Sequence, residues 1–166
     1  MEALNRIHSA AIEYMLSKKA VDVSTALIGM SCRDAMPGGC DIFLFADSTA
    51  LYALSGVVTL GDGGVEFAET SYAAYPLDTV SELETEEMVS SARLAVRCED
   101  GRVSLVAETS NTYKETLFRF ADYVKLIKNG DFKGIEADDF ENTVPPAADV
   151  SPMTTKSART VRTIRE

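Results

Sequence analysis

Hydrophobic and polar positions follow two different periods along this chain. The apolar side chains of residues 1–19 recur every three or four positions, at Leu4, Ile7, Ala11, Tyr14 and Met15. This spacing predicts one apolar face of a helix. From residue 24 to residue 109, short apolar runs are separated by Gly, Pro and Asp, as in strands joined by turns. The pattern therefore predicts an N-terminal helix followed by a β-rich middle.

The most apolar stretch is CDIFLFADSTALYALSG, residues 40–56. Its interruption at 47–49, Asp-Ser-Thr, predicts a turn between two strands. Phe43 and Phe45 alternate with Ile42 and Leu44, so both faces of the first strand are apolar, as in a strand covered on each side. The stretch is too short and too interrupted to cross a bilayer, which takes about twenty apolar residues. We interpret it as core.

Two further hairpins are predicted from their turns. The sequence GDGG at 61–64 separates VVTL from VEFAETSYAAY, and its glycines allow the positive φ angles of a tight turn. The residues GR at 101–102 separate ARLAVRCED from VSLVAETS, and these two runs form the clearest hairpin of the chain, with Asp100 and Gly101 at its tip. Between these hairpins, Pro76 predicts the edge or corner of a sheet.

An acidic strand is predicted in LDTVSELETEEMV, residues 77–89. Glu82, Glu84 and Glu86 share one face at the two-residue period of a strand. Such a row is typical of a solvated outer face, and it also suits contact with a basic partner. We therefore take these three glutamates as the candidate partner-contact surface.

A second amphipathic helix is predicted from residue 112 to residue 129. Thr112 and Glu115 have the spacing of a capping box, and Gly130 stands where a left-handed residue ends a helix. Its apolar face comprises Leu117, Phe120, Ala121, Val124 and Ile127 or Lys128.

The composition narrows the classes of function. With 166 residues and a net charge of −10, the chain fits one acidic domain with tails, and the charge argues against nucleic-acid binding. Three cysteines without a paired spacing predict reduced thiols in a cytoplasmic protein. No motif pairs a nucleophile with a base, and one histidine leaves no zinc site. We expect no catalytic residue, no cofactor and no metal.

The chain resembles the PH-like (GRAM-like) N-terminal domain that precedes the membrane part of some bacterial ABC-type exporters. The resemblance rests on two stretches, IGMSCRDAMPGGCDIFLFADSTALYALSG at 28–56 and the segment 75–130 from YPLDTV to KLIKNG. It implies an α+β fold: a PH-like barrel of two bent antiparallel sheets, about seven strands in all, with a C-terminal amphipathic helix as cap and an extra N-terminal helix. The loops that carry Lys and Arg in phosphoinositide-binding PH domains read RDAMPGG, ADST and GDGG here. Direct phosphoinositide binding is therefore not expected.

The domain organisation follows from these elements. We predict an N-terminal helix at 1–19, a PH-like domain at 20–130, an acidic Pro/Ala-rich linker at 131–155 and a basic segment at 156–166. The resemblance implies a position at the inner face of the membrane, through a continuation beyond residue 166.

The leading hypothesis for function is a non-catalytic, cytoplasmic interaction or regulatory module, attached to a membrane ABC-type transporter. Its partner would be another protein, or the adjacent membrane or ATPase domains, docked along the C-terminal helix or as an added strand on a free sheet edge. One alternative is a stand-alone acidic secretion-type chaperone or adaptor, which would dimerise. A second is a small enzyme with two or more acids in a pocket at the barrel mouth.

Overall fold

The computed structural model describes residues 1–139. Within them, the order of strands and helices is β1 (Glu2–Ala3), α1 (Ser9–Lys18), β2 (Ile28–Arg33), β3 (Asp41–Ala46), β4 (Ala50–Gly61), β5 (Gly64–Pro76), β6 (Val80–Glu87), β7 (Ser91–Cys98), β8 (Val103–Ser110) and α2 (Lys114–Asn129). The predicted basic segment 156–166 and residues 140–155 of the predicted linker lie outside the described residues.

The strands form two sheets. The first has the order β1-β2-β3-β4-β5 and is antiparallel except for the short parallel pair of β1 with β2. The second has the order β6-β7-β8 and is antiparallel throughout. With two helices, the described chain is an α+β fold built on two sheets, as the sequence predicts.

Strand β3 is buried along its whole length. Ile42, Leu44 and Ala46 face the main core, which lies between the two sheets and is closed by α2. Phe43 and Phe45 face a second core, where they pack with Ala11 and Met15 of α1 and with part of the β4–β5 hairpin. The prediction that both faces of this strand are covered is confirmed.

The N-terminal segment is helical only from residue 9. The helical stripe predicted from Leu4 onward is wrong in its first third, because the chain before residue 9 is not helical and begins as strand β1 beside β2. The Asn5 side chain fixes this course, since it accepts a hydrogen bond from the Ser31 N–H (2.8 Å) and donates one to the Ser31 carbonyl oxygen (2.5 Å). The His8 Nδ1 atom then accepts from the Ala10 N–H at 3.1 Å and caps α1.

Strand β4 contains both ALYALSG and VVTL, which the sequence predicts as two separate runs. It pairs with β5 over its whole length, and a bulge between Ser55 and Gly56 takes the place of the expected break. The hairpin turns at residues 62–63, and Gly64 follows with a φ of +111° that favours glycine. Beyond Gly56 the hairpin extends past the end of β3.

Helix α2 begins differently from the prediction. A 3-10 turn at Asn111–Tyr113 leads into the helix, and no side chain caps it at Tyr113. The predicted capping box of Thr112 and Glu115 is therefore wrong. Gly130 does end the helix, with a φ of +80° and its N–H donating to the last-turn carbonyls. Neither helix among residues 1–139 is long and apolar enough to cross a membrane.

Residues 131–139 continue along the domain surface. Phe132 and Ile135 pack against the main core, and the Phe132 ring lies edge-on to Tyr123 with the centroids 5.9 Å apart. The start of the predicted linker therefore contacts the fold.

Candidate functional site

The three-stranded sheet has one buried face and one exposed face. Along β7, Ala92, Leu94 and Val96 are buried, while Arg93 and Arg97 point to the opposite side. This exposed side carries Glu82, Glu84 and Glu86 from β6, Arg93, Ala95 and Arg97 from β7, and Val103 and Leu105 from β8. We call these eight residues the outer face.

The three predicted contact residues lie together on the outer face. Each of them stands opposite β7: Glu82 opposite Arg97, Glu84 opposite Ala95 and Glu86 opposite Arg93. The Arg97 Nε donates to the Glu84 carboxylate at 2.6 Å, and Arg93 lies 3.9 Å from the Glu86 carboxylate. The row that looks purely acidic in sequence is therefore compensated by two arginines of the neighbouring strand.

A second layer of charge pairing surrounds this row. The Arg93 Nε also donates to Glu108 of β8 at 3.3 Å, and the Ser91 hydroxyl donates to the same carboxylate at 3.1 Å. The Glu87 carboxylate accepts from Lys114 Nζ at 2.9 Å, and this bond raises the pKa of Lys114. Exposed pairs of this kind add little stability. In protein interfaces, such charges contribute to specificity and register more than to affinity.

The sequence interpretation missed the arginines and the apolar end of the outer face. Arg93 and Arg97 alternate with buried residues in ARLAVRC, a signal visible without the structure. Val103 and Leu105 are 46% and 53% exposed, which is high for large apolar side chains. A shallow hollow of about 560 Å³ lies between the two rows, lined by Glu84, Thr85, Glu86, Arg93, Ala95, Val103 and Leu105. Across the outer face, the side chains therefore change from acidic on β6 to mainly basic on β7 and apolar on β8.

A cleft opens beside the apolar end of the outer face, between β8 and the inner side of the first sheet. Its volume is about 500 Å³, and Leu105 lines both this cleft and the hollow. The Ser55 and Ser71 hydroxyls form a hydrogen bond of 2.5 Å in its wall, at positions where a closed sandwich would carry apolar side chains. Asp34 and Glu108 are the two acids of the lining.

Two other groups of chemical interest within residues 1–139 are not assigned as sites. Burial raises the pKa of Cys32 to about 12, so its thiol stays protonated and unreactive. Carboxylate oxygens of Glu136, Asp138 and Asp139 lie within 4.8 Å of one another near the N-terminal half of α2. Asp139 is engaged there by Arg119 at 3.4 Å and by the Tyr123 hydroxyl. We assign no metal to this group.

Comparison with known proteins adds one similar structure. No protein-family model and no curated protein sequence matches this chain. The chain is similar to the hSac2 domain from the human phosphoinositide phosphatase Sac2. The identity is 18%, the match covers 84% of this chain and 96% of that domain, and the TM-score is 0.48. Identity at this level carries no information about ligands.

Proposed function

We propose that this chain is a PH-like, non-catalytic docking domain that binds a partner protein through the outer face. The order of elements supports the PH-like assignment: a four-stranded meander from β2 to β5, a three-stranded meander from β6 to β8, and a helix that packs on β2, β6 and β7. The extra elements, β1 and α1, lie outside this order.

A single observation carries the proposed site: the outer face combines charged pairs with exposed apolar side chains. Most protein surfaces carry charges, but Val103 and Leu105 are exposed next to the Arg93 and Arg97 pairs. An interface typically joins such an apolar centre to a polar rim, with arginine enriched in it. The Arg97 Nε donates to Glu84 at 2.6 Å and orients both side chains, whereas Arg93 and Glu86 lie farther apart, at 3.9 Å.

The proposal is tested by reversing charge on the face and measuring partner capture. The triple variant Glu82→Lys, Glu84→Lys, Glu86→Lys is immobilised beside the wild type and beside a control that carries Asp62→Lys and Glu66→Lys on the β4–β5 hairpin. Proteins of a lysate from the source organism are quantified on each. We expect at least one protein to be retained by wild type and control and depleted about tenfold on the triple variant. Equal retention on all three surfaces would overturn the proposed site.

The transporter context extends this proposal on the strength of the sequence resemblance. If the chain precedes an exporter, the partner is the adjacent membrane or ATPase domain. Reading the codons after residue 166 tests this idea, because a span of about twenty apolar residues is needed to cross the membrane. A stop codon there would contradict it.

The acidic-pocket enzyme remains the second candidate because Asp34 and Glu108 both line the cleft. Both acids already accept hydrogen bonds from this chain: Asp34 from the Met36 N–H at 2.8 Å, and Glu108 from Arg93 and Ser91. This engagement favours docking over acid–base chemistry, in which a carboxylate must face the substrate. The chaperone alternative predicts a stable dimer, which sedimentation would detect.

A further inference from the structure

The cleft between β8 and the first sheet is bounded at both ends by hydrogen bonds that join the two sheets. At one end, the Ala35 N–H donates to the Glu108 carbonyl oxygen at 3.2 Å. At the other end, the Tyr75 hydroxyl donates to the Leu105 carbonyl oxygen at 3.3 Å. The cleft volume of about 500 Å³ is in the range of small-molecule sites. These connections favour a short occupant over a long peptide or acyl chain.

Two features of the strands leave this space open. On the first sheet, the lining residues Ala53, Ser55 and Ser71 have small side chains. On β8, residues 105–108 all line the cleft, and Val106 among them is a bulge residue without a partner on β7. Bulges are frequent beside functional sites, because they redirect side chains out of the regular strand pattern.

The hydroxyl pair of Ser55 and Ser71 offers hydrogen bonds to a ligand. The two oxygens lie 2.5 Å apart, and their mutual hydrogen bond uses one of the two hydroxyl protons. The other proton and the remaining lone pairs can therefore bond to a group in the cleft. A ligand hydroxyl suits this pair, because it both donates and accepts.

The rim of the cleft is apolar. Met36 and Leu105 both line it, and their side chains are 70% and 53% exposed. Ile42 continues the apolar surface within the cleft. Covering such side chains with an aliphatic group is favourable, because it removes apolar surface from water. The cleft therefore suits a molecule with an aliphatic body and a hydroxyl group.

The charges in the lining disfavour ionic ligands. No lysine or arginine is among the described residues that line the cleft, so an anion would meet the carboxylates of Asp34 and Glu108 without a cation beside it. A cation would compete with Arg93 for Glu108, at 3.3 Å, and with the Met36 N–H for Asp34, at 2.8 Å. A neutral ligand meets neither obstacle.

We propose that the cleft binds a small, neutral, aliphatic alcohol, with its hydroxyl on the Ser55–Ser71 pair and its aliphatic body against Met36 and Leu105. This inference goes beyond the proposed function, because it assigns a small-molecule site that is separate from the glutamates of the outer face.

The test uses three soluble probes that share a cyclohexyl ring: cyclohexanol, cyclohexylamine and cyclohexanecarboxylate. At neutral pH the first is uncharged, the second cationic and the third anionic. Each is titrated into the isotope-labelled whole chain while the amide and methyl NMR signals are recorded. We expect cyclohexanol to shift signals of Ser55, Ser71 and Leu105 saturably, with a Kd of about 1–10 mM, as for a molecule of this size. We expect the ionic probes to bind roughly fivefold more weakly or less.

Two variants of one serine locate the binding. Ser71→Ala removes one hydroxyl of the pair, and we expect it to weaken cyclohexanol binding about fivefold, the effect of one hydrogen bond. Ser71→Leu also fills the cleft, and we expect it to abolish saturable binding. Ser81→Leu on β6 is the matched control, because Ser81 is likewise an exposed strand serine with a bonded hydroxyl. It should bind cyclohexanol as the wild type does, and the NMR spectrum of each variant reports whether it is folded.

Three results would overturn the inference. Shifts that grow linearly with cyclohexanol, or that spread equally over exposed apolar residues such as Leu60 and Val65, would show non-specific contact only. Equal or tighter binding of an ionic probe would contradict the neutral class of ligand. Unchanged binding by a folded Ser71→Leu variant would contradict the location.

This experiment is independent of the lysate capture. Glu82, Glu84 and Glu86 do not line the cleft, so the triple charge-reversal variant should bind cyclohexanol as the wild type does. If capture depends on those glutamates but cyclohexanol does not bind at the serine pair, the inference fails alone. If cyclohexanol binds there but capture does not depend on the glutamates, the proposed use of the outer face fails and the small-molecule site stands.

Discussion

The Tyr75 hydroxyl donates a hydrogen bond of 3.3 Å to the Leu105 carbonyl oxygen and joins β5 to β8. Burial raises the pKa of Tyr75, so the hydroxyl remains a donor well above neutral pH. No strand pairing connects β5 with β8 in the described chain. At this corner the two sheets meet through the Tyr75 side chain. The Leu105 side chain lines the cleft beside this contact.

Removing the Tyr75 hydroxyl tests this contact directly. We expect Tyr75→Phe to lower the free energy of unfolding by about 0.5–1 kcal/mol, the range of one neutral hydrogen bond at the surface. Urea denaturation measures the change. Tyr75→Ala serves as the comparison and should cost more, because the ring also packs against the main core. A Tyr75→Phe variant as stable as the wild type would show that the bond contributes nothing.

Glu69 ties α1 to β5 and should make stability depend on pH. Hydrogen bonds from Lys19 and then Tyr14 hold the pKa of Glu69 below its ordinary value of 4.5. The stabilisation is therefore present above pH 4.5 and is lost as the pH falls through the lower folded pKa. We expect Glu69→Gln to lower the Tm at pH 7 and to match the wild type at strongly acid pH. Thermal melts across this range measure it.

Asp41 should show the opposite sign. Burial raises its pKa above the ordinary 3.8, although Arg33, 3.2 Å away, works against the shift. A raised carboxyl pKa favours the folded state below pH 3.8, and this contribution is lost as the pH rises through the folded pKa. The Tm of Asp41→Asn relative to wild type should therefore rise between acid and neutral pH. A relative Tm that falls, as we expect for Glu69→Gln, would contradict the burial argument.

Gly56 of β4 lies where the register with β5 shifts, opposite the bulged residue Thr70, and no larger residue fits there. A Cβ atom there would lie 2.2 Å from the Ala68 carbonyl oxygen and 2.5 Å from the Phe67 ring. Since backbone cannot move aside cheaply, we expect Gly56→Ala to destabilise by about 1–3 kcal/mol. Gly63→Ala is the matched control, because nothing lies within 4 Å of its Cβ position. Equal stability of the two variants in urea would contradict the prediction.

The second core should be as important to stability as a conventional interior. Phe43 is fully buried there, and we expect Phe43→Ala to cost about 3–5 kcal/mol by leaving a cavity. Leu16→Ala, on the exposed side of α1 at 54% exposure, should change stability by less than about 0.5 kcal/mol. Calorimetry or urea titration distinguishes the two outcomes.

Much of the β-structure could be predicted because its signals are local. The turn at 47–49, the glycines at 61–64 and the Asp100–Gly101 tip all depend on residues adjacent in sequence. The helical stripe from Leu4 failed because Asn5 bonds to Ser31, a contact between segments 26 residues apart. Short-range periodicity contains no information about such a partner.

Only the β6 side of the candidate site could be predicted from the sequence. Glu82, Glu84 and Glu86 do share a face, as the period of two requires. Their compensation by Arg93 and Arg97 depends on the register between β6 and β7, which the bulge after Val80 sets. The cleft forms because the two sheets lie apart at this corner. The sequence of a single strand does not determine that separation.

The double burial of β3 determines how this chain can be shortened. A truncation that begins at residue 20 would remove Ala11 and Met15 and expose Phe43 and Phe45 on a central strand. An uncovered apolar sheet face of this kind promotes aggregation. We therefore expect that a fragment must include residues 1–19 to remain stable and free of aggregation.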